Sequence, residues 1–292
     1  SMRIARHAQL AVAAWMLATG STSMFAQAAD ATLTTFFRQY LDASFRQRPT
    51  EATQLGDHRF DHLLDDLRPA ARQEWVALTR QTLEALPRQV DYAQLSRAAQ
   101  IDFEILQYDL RRTLWLFENT RPFEDDPRVY GSYISDSTYL LLSQSTLPRE
   151  TNVSNCLARM AQLPQIVAAA KANLQNPPRV LLDTAIRQNR GAIGFYETDL
   201  FVLAGKTRQI EALKAGARNV VACLQEYQAF LEKDLLPRSN GEWRVGREKF
   251  ARKLELTLDA GLTADQVMAD AEAEYDRVVR EMYVVARQLW SS

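Results

Sequence analysis

Two histidines four residues apart, His58 and His62 in the stretch GDHRFDHLLDD, come nearest to a metal site in type and spacing. Side chains at i and i+4 share one face of a helix, which suits a tetrahedral zinc ion. In the common arrangement a glutamate follows the first histidine and acts as general base. Arg59 stands there instead, and its charge would oppose a nearby cation. In the inverted arrangement an acid precedes the second histidine, and Asp61 fills that place one methylene too short. Gly56, a helix-stopping residue, comes just before the pair. A polar turn capped or solvated by Asp57, Asp61, Asp65 and Asp66 is therefore favoured over His58 and His62 as metal ligands.

No other catalytic constellation is recognisable. The third histidine, His7, lies near the N-terminus, and no Gly-x-Ser-x-Gly elbow is present to support a Ser-His-Asp triad. Gly191, Gly194 and Gly205 match neither nucleotide-binding fingerprint. Cys156 and Cys223, the two cysteines, leave one disulfide and two separate buried thiols equally open. With Lys+Arg at 35 against Asp+Glu at 36, the chain has no basic excess to attract nucleic acid or anionic lipid.

The elements that would carry these residues are helices. Phe103, Leu106, Leu110, Leu114 and Phe117 fall on one helical face. So do Leu213, Ala217, Val220, Leu224, Tyr227, Leu231 and Leu235, ahead of a stop at Pro237. Thr263 and Gln266 have capping-box spacing and precede a stripe of Val267, Ala271, Tyr275, Val278, Met282, Val285 and Leu289. Glycine numbers only 10 among 292 residues, too few for the turns of a many-stranded sheet. The expected fold is all-α, a multi-helix array or bundle, with one long irregular loop over about residues 118–148. A loop packed over the bundle is favoured there, with its tyrosines half-buried; the alternative places Tyr130, Tyr133 and Tyr139 beside a substrate cleft.

The N-terminus has Arg3 and Arg6, an apolar run from Leu10 to Ala18, and the small-residue stretch Ala26-Gln27-Ala28. That pattern predicts a signal peptide over residues 1–28, cleaved near Ala28-Ala29, and a periplasmic or secreted chain. Ser1 before Met2 reads as an expression scar. No later segment has the roughly 18 uninterrupted apolar residues of a membrane span. Residues 29–292 read as a single helical domain.

Four patches, in order, resemble the N-terminal half of the bacterial family known as domain of unknown function 885: RPTEATQLGDHRFDHLLDDL (48–67), NPPRVLLDTAIRQNRGAIGFYE (176–197), FLEKDLLPRSNGEWRVGREKFARKL (230–254) and GLTADQVMADAEAEYDRVVREM (261–282). The resemblance implies an exported, helical, zinc-dependent peptidase related to carboxypeptidase-like zincins. It also implies a His-Glu-x-x-His motif in the second half of the domain. That motif is absent here, so no ligand or general base carries over, and His58 and Asp61 are expected to organise a turn. The expected function is the N-terminal helical part of such a protein, non-catalytic by itself. Zinc and a peptide substrate would belong to the complete enzyme, and self-association would run through an exposed apolar face. The rival reading is a helical periplasmic module that binds a peptide or protein without catalysis.

Overall fold

The computed structural model describes residues 26–291; most of the expected signal peptide lies outside them. Among the described residues there is no strand. Helix α1 covers 26–47, followed by α2 (Pro49–Gln54), a 3-10 turn (His58–Phe60), α3 (Pro69–Gln89) and α4 (Arg97–Asn119). Next come α5 (Pro122–Asp125), α6 (Arg128–Ser143), α7 (Arg149–Met160), α8 (Leu163–Asn173) and α9 (Arg179–Gly194). A π-helical turn (Phe195–Asp199) leads into α10 (Leu200–Ala204), and α11 (Ile210–Ala229) runs into a second π-helical turn (Phe230–Leu235). The last two helices are α12 (Arg247–Leu258) and α13 (Ala264–Trp290). No described helix is long and apolar enough to cross a membrane.

The helices fall into two compact units. One holds the chain up to Phe117 together with Arg121–Trp243; the other holds Glu118–Thr120 and the chain from Arg244. In the first unit α6 packs against α7, α9, α2 and α8, while α11 packs against α9, α8 and α7. The stripe read on α11 and its π-helical extension is the face that is buried, from Leu213 through Tyr227 to Leu235. Phe103, Leu106 and Leu110 of α4 join a second cluster with Leu33 and Phe36 of α1 and Leu86 of α3. Burying each such side chain contributes roughly 1.5–3 kcal/mol, which explains why 3.6-residue periodicity predicts these helices well.

The expected irregular loop over 118–148 is a correction: most of it is α5 and α6. Its prolines sit where a missing N–H costs nothing, Pro122 in the first turn of α5 and Pro127 as the N-cap of α6. The serines that read as loop residues turn back on the helix. Ser132 donates to the Arg128 carbonyl and Ser143 to the Tyr139 carbonyl. Burial of Tyr130, Ile134, Leu140 and Leu141 then outweighs weak intrinsic propensity.

Two of the sequence patches meet in the first unit. Ser239 donates to the Pro177 carbonyl (2.7 Å), Arg238 Nη1 to the Gln175 carbonyl (2.7 Å), and the Asn240 amide to Asn176 Oδ1 (2.9 Å). Gly241 completes this brace, because a Cβ there would run into the Asn176 carbonyl oxygen. In the second unit, α12 and α13 are joined through Asp259 and Gly261, both at positive φ, and the Thr263–Gln266 capping box forms as its spacing predicts. Every α13 residue from Met268 to Trp290 is exposed, including Tyr275, Val278, Met282 and Val285.

At the centre of the first unit, Arg159 of α7 is fully buried. Its guanidinium donates to the Leu63 carbonyl (2.9 Å), Thr53 Oγ1 (2.6 Å), the Ser137 carbonyl (3.4 Å) and the Pro49 carbonyl (3.5 Å). The Thr53 hydroxyl in turn donates to Asp61 Oδ1 at 2.7 Å, so a buried cation and a buried carboxylate are linked through one hydroxyl. Arg159→Met should lower the unfolding free energy by about 3–5 kcal/mol in urea denaturation, because it strands the buried Asp61 charge and several carbonyls. Arg159→Lys should recover only part of that loss, since one ammonium cannot span acceptors on three segments.

Candidate functional site

The two histidines do not lie on a regular helix. His58 opens the 3-10 turn and the chain bends again at Asp61-His62, so the two side chains do not share a helix face. His58 Nδ1 lies 2.8 Å from Asp61 Oδ2, and Asp57 caps the turn through the Arg59 amide at 3.1 Å. His62 is exposed and contributes its carbonyl to Gln162 Nε2 at 2.8 Å. Among the described residues no three His, Cys, Asp or Glu side chains converge in a way that could hold a metal ion. Cys156 and Cys223 are both free thiols; burial pushes the Cys156 thiol up to about 12.

The strongest candidate site is a row of three hollows on the first unit. The middle one, about 240 Å³, lies between α2 and α6 and is lined by Arg48, Thr50, Glu51, Gln54, Asp65, Ser132, Tyr133 and Asp136. On one side it shares Ser132 and Asp136 with a hollow of about 320 Å³ bounded by α6 and α9, where Tyr139, Ala192 and Phe195 supply an apolar lining. On the other side it shares Arg48 and Glu51 with a hollow of about 390 Å³ among α1, α2 and α4, lined by Phe37, Tyr40, Leu41, Phe45, Leu55 and Ile105. The middle hollow is acidic and the flanking ones are mainly apolar, with Asp136 shared into the first and Asp102 and Asp109 also lining the last.

Local structure explains how these groups are placed. The π-helical turn after α9 brings Phe195 to the first hollow while sending Tyr196 into the core, where its hydroxyl donates to the Ile134 carbonyl at 3.0 Å. Of the three tyrosines singled out from sequence, Tyr133 and Tyr139 line the row and Tyr130 does not. Tyr130 is fully buried, donates to the Phe123 carbonyl at 2.7 Å and accepts from Asn173 at 3.0 Å. Sequence reasoning missed Glu51, Asp65 and Asp136, which come from three separate segments. One signal was available: Asp136 is the single charged residue between Arg128 and Arg149.

The middle hollow is acidic and poorly neutralised. Arg48 Nη2 lies 2.6 Å from Glu51 Oε2. Asp65 accepts from the Thr50 amide (2.9 Å) and the Tyr133 hydroxyl (3.0 Å), and Asp136 meets only Gln54 Nε2, at 3.4 Å. Burial raises the carboxyls of Glu51, Asp65 and Asp136 above their ordinary values. Burial also raises the Tyr133 phenol, with the Asp65 charge adding to the shift. The Thr50 hydroxyl, in a residue 5% exposed, sits beside Asp65 and opposes the effect of burial on its carboxyl.

A carboxyl with a raised folded value binds its proton more tightly when folded than when unfolded. Its contribution to stability is therefore present below the ordinary aspartate range and is lost as pH rises through the raised folded value. Asp65→Asn should gain stability relative to the parent chain as pH rises from about 4 to 7, read as a widening difference in Tm in the variant's favour. A difference that stays flat with pH would contradict the burial of an ionisable Asp65.

Comparison with known proteins places this geometry in a family. Among curated proteins none matches the chain. A solved structure from Shewanella oneidensis, provisionally described as a lipoprotein of unknown function, superposes with a TM-score of 0.72 at 23% sequence identity, covering 88% of this chain and 48% of that one. The chain thus spans about half the length of that structure, and at this identity the likeness shows the fold alone. The family model described as bacterial protein of unknown function, DUF885, matches residues 49–292, and the chain belongs to that family.

Proposed function

We propose that the chain is the N-terminal helical part of an exported zinc-metallopeptidase-like protein, in which the row of hollows along α2 and α6 forms one wall of a peptide-binding groove. The row itself carries this reading. Three hollows that share lining residues in sequence suit an extended segment whose neighbouring side chains enter different hollows. Family membership and the resemblance of the four sequence patches support the peptidase-like class. Export is supported by the basic and apolar pattern of residues 1–28 and by the description of the solved relative as a lipoprotein.

Hydrolysis itself is assigned elsewhere in the complete protein. Zinc would supply an activated water there, whereas the residues described here bind and orient. The purified chain supplied with zinc should hydrolyse no peptide, yet should bind the capped peptide Ac-Phe-Gly-Phe-NH2 in calorimetry. Phe195→Ala and Ile105→Asp should each weaken that binding at least about fivefold. Hydrolysis abolished by His58→Ala would overturn the assignment, and unaltered affinity in both groove variants would overturn the groove.

The exposed stripe of α13 fits the same reading. A 27-residue helix with no buried residue and an apolar face is a docking surface in waiting. We assign it to packing against a further part of the family domain, consistent with a solved relative about twice as long. The chain alone should then self-associate in a concentration-dependent way in sedimentation velocity. Val278→Glu combined with Met282→Glu should return it to monomer without changing the helical circular dichroism.

A further inference from the structure

Asn240 and Gly241 form the single Asn-Gly pair in the chain. Such a pair has a chemistry of its own: the backbone nitrogen of the second residue can attack the side-chain carbonyl carbon of the first, and glycine has no Cβ to obstruct the approach. Two conditions normally prevent this, a backbone held in a helix or an amide committed to a hydrogen bond. Neither applies here. Residues 239–246 are neither helix nor strand, and Asn240 is exposed. The Asn240 main-chain amide donates to Asn176 Oδ1 at 2.9 Å, but among the described residues no partner holds the Asn240 side chain or the Gly241 amide. Every other asparagine is protected. Asn119, Asn152, Asn155, Asn173, Asn189 and Asn219 lie in helices, and Asn176 is followed by Pro177, which has no N–H to attack with.

We propose that Asn240 is a self-modification site, deamidated in the folded chain without an enzyme, and that the isoaspartate so formed releases the brace on the residues before α9. The Gly241 nitrogen gives up its proton and bonds to Asn240 Cγ; the Cγ–NH2 bond breaks, ammonia leaves with that proton, and a cyclic succinimide remains. Water then opens the ring at either carbonyl carbon, returning a proton to the Gly241 nitrogen. Opening at Cγ gives aspartate with the ordinary backbone, and opening at the main-chain carbonyl gives isoaspartate, whose backbone runs through Cβ. The net change in both cases is uptake of one water and loss of one ammonia. Isoaspartate matters to the fold because it adds a methylene between Asn240 Cα and Gly241. Gly241 has no slack to accept it, lying so close to the Asn176-Pro177-Pro178 main chain that even a Cβ would run into the Asn176 carbonyl oxygen. The hydrogen bonds from Ser239 to the Pro177 carbonyl and from Arg238 to the Gln175 carbonyl, both 2.7 Å, adjoin the lengthened link and loosen with it.

The test is a time course of the purified chain in mildly alkaline buffer, read by mass spectrometry of the tryptic peptide SNGEWR, which spans Ser239 to Arg244. Two products should accumulate, an aspartate and an isoaspartate form separable by chromatography, each heavier by the exchange of an amide for an acid. Peptides carrying the other asparagines should stay unchanged, and mildly acidic buffer should slow the reaction, because the attacking amide must lose its proton. The aged chain should show a lowered Tm. Asn240→Gln keeps the main-chain donor to Asn176 and should lose both the mass change and the Tm shift; Asn240→Asp supplies the ordinary-backbone product and should keep the parent Tm. Retention of the amide in the folded chain while a synthetic SNGEWR peptide deamidates in the same buffer overturns the proposal, because the brace then locks the pair. Comparable deamidation at the helical asparagines overturns the selectivity. Isoaspartate formation with an unchanged Tm, or an equal Tm loss in Asn240→Asp, overturns the release of the brace. The time course of the unaltered chain decides the modification even if a variant misfolds.

Discussion

A buried guanidinium organises this fold. Placing Arg159 of α7 out of water is tolerable only if its N–H groups are met, and the acceptors come from α2, from the turn after it and from α6. Those are the segments that border the middle hollow. Arg159 is also the charge that Asp61 and Asp65 oppose. Burial pulls the proton affinity of Arg159 down and the two carboxylates pull it back up, so the cation and the acids stabilise one another across the wall of the cleft.

The row of hollows therefore lies against a polar core. The Thr53 hydroxyl links Arg159 to Asp61, and the Thr50 amide holds Asp65. A short six-residue helix could not hold these positions by propensity alone. It is held because Pro49 starts it in a helical conformation and the guanidinium grips its first carbonyl.

The helices that bury a regular stripe were legible in the sequence, and the reason is physical. On α4 and α11 the signal and the packing are the same thing, a face of Leu, Val and Phe at helical spacing. Helix α6 hid because its buried face mixes Tyr130, Ser137 and Thr138 with aliphatics, and hydroxyls read as loop residues until their back-bonds to the helix are known. The turn organised by His58 and Asp61 was legible from Gly56 and the surrounding acids. The acidic hollow was not: Glu51, Asp65 and Asp136 are ordinary surface acids in isolation, and only the packing of α2 against α6 makes them neighbours. Tyr133 and Tyr139 differ from Tyr130 by helix rotation alone, which a loop reading cannot supply.

The brace between Gly241 and the Asn176-Pro177-Pro178 segment has a consequence in time. Its hydrogen bonds join residues 62 to 64 positions apart, so the start of α9 stays unpinned until the chain has been synthesised through Asn240. A chain emerging N-terminus first can assemble α7 and then α9 on α6 early, while the brace on the residues before α9 must wait. The brace is thus among the last features of the first unit to close, and a chain that paused before residue 241 would hold the start of α9 without these long-range hydrogen bonds.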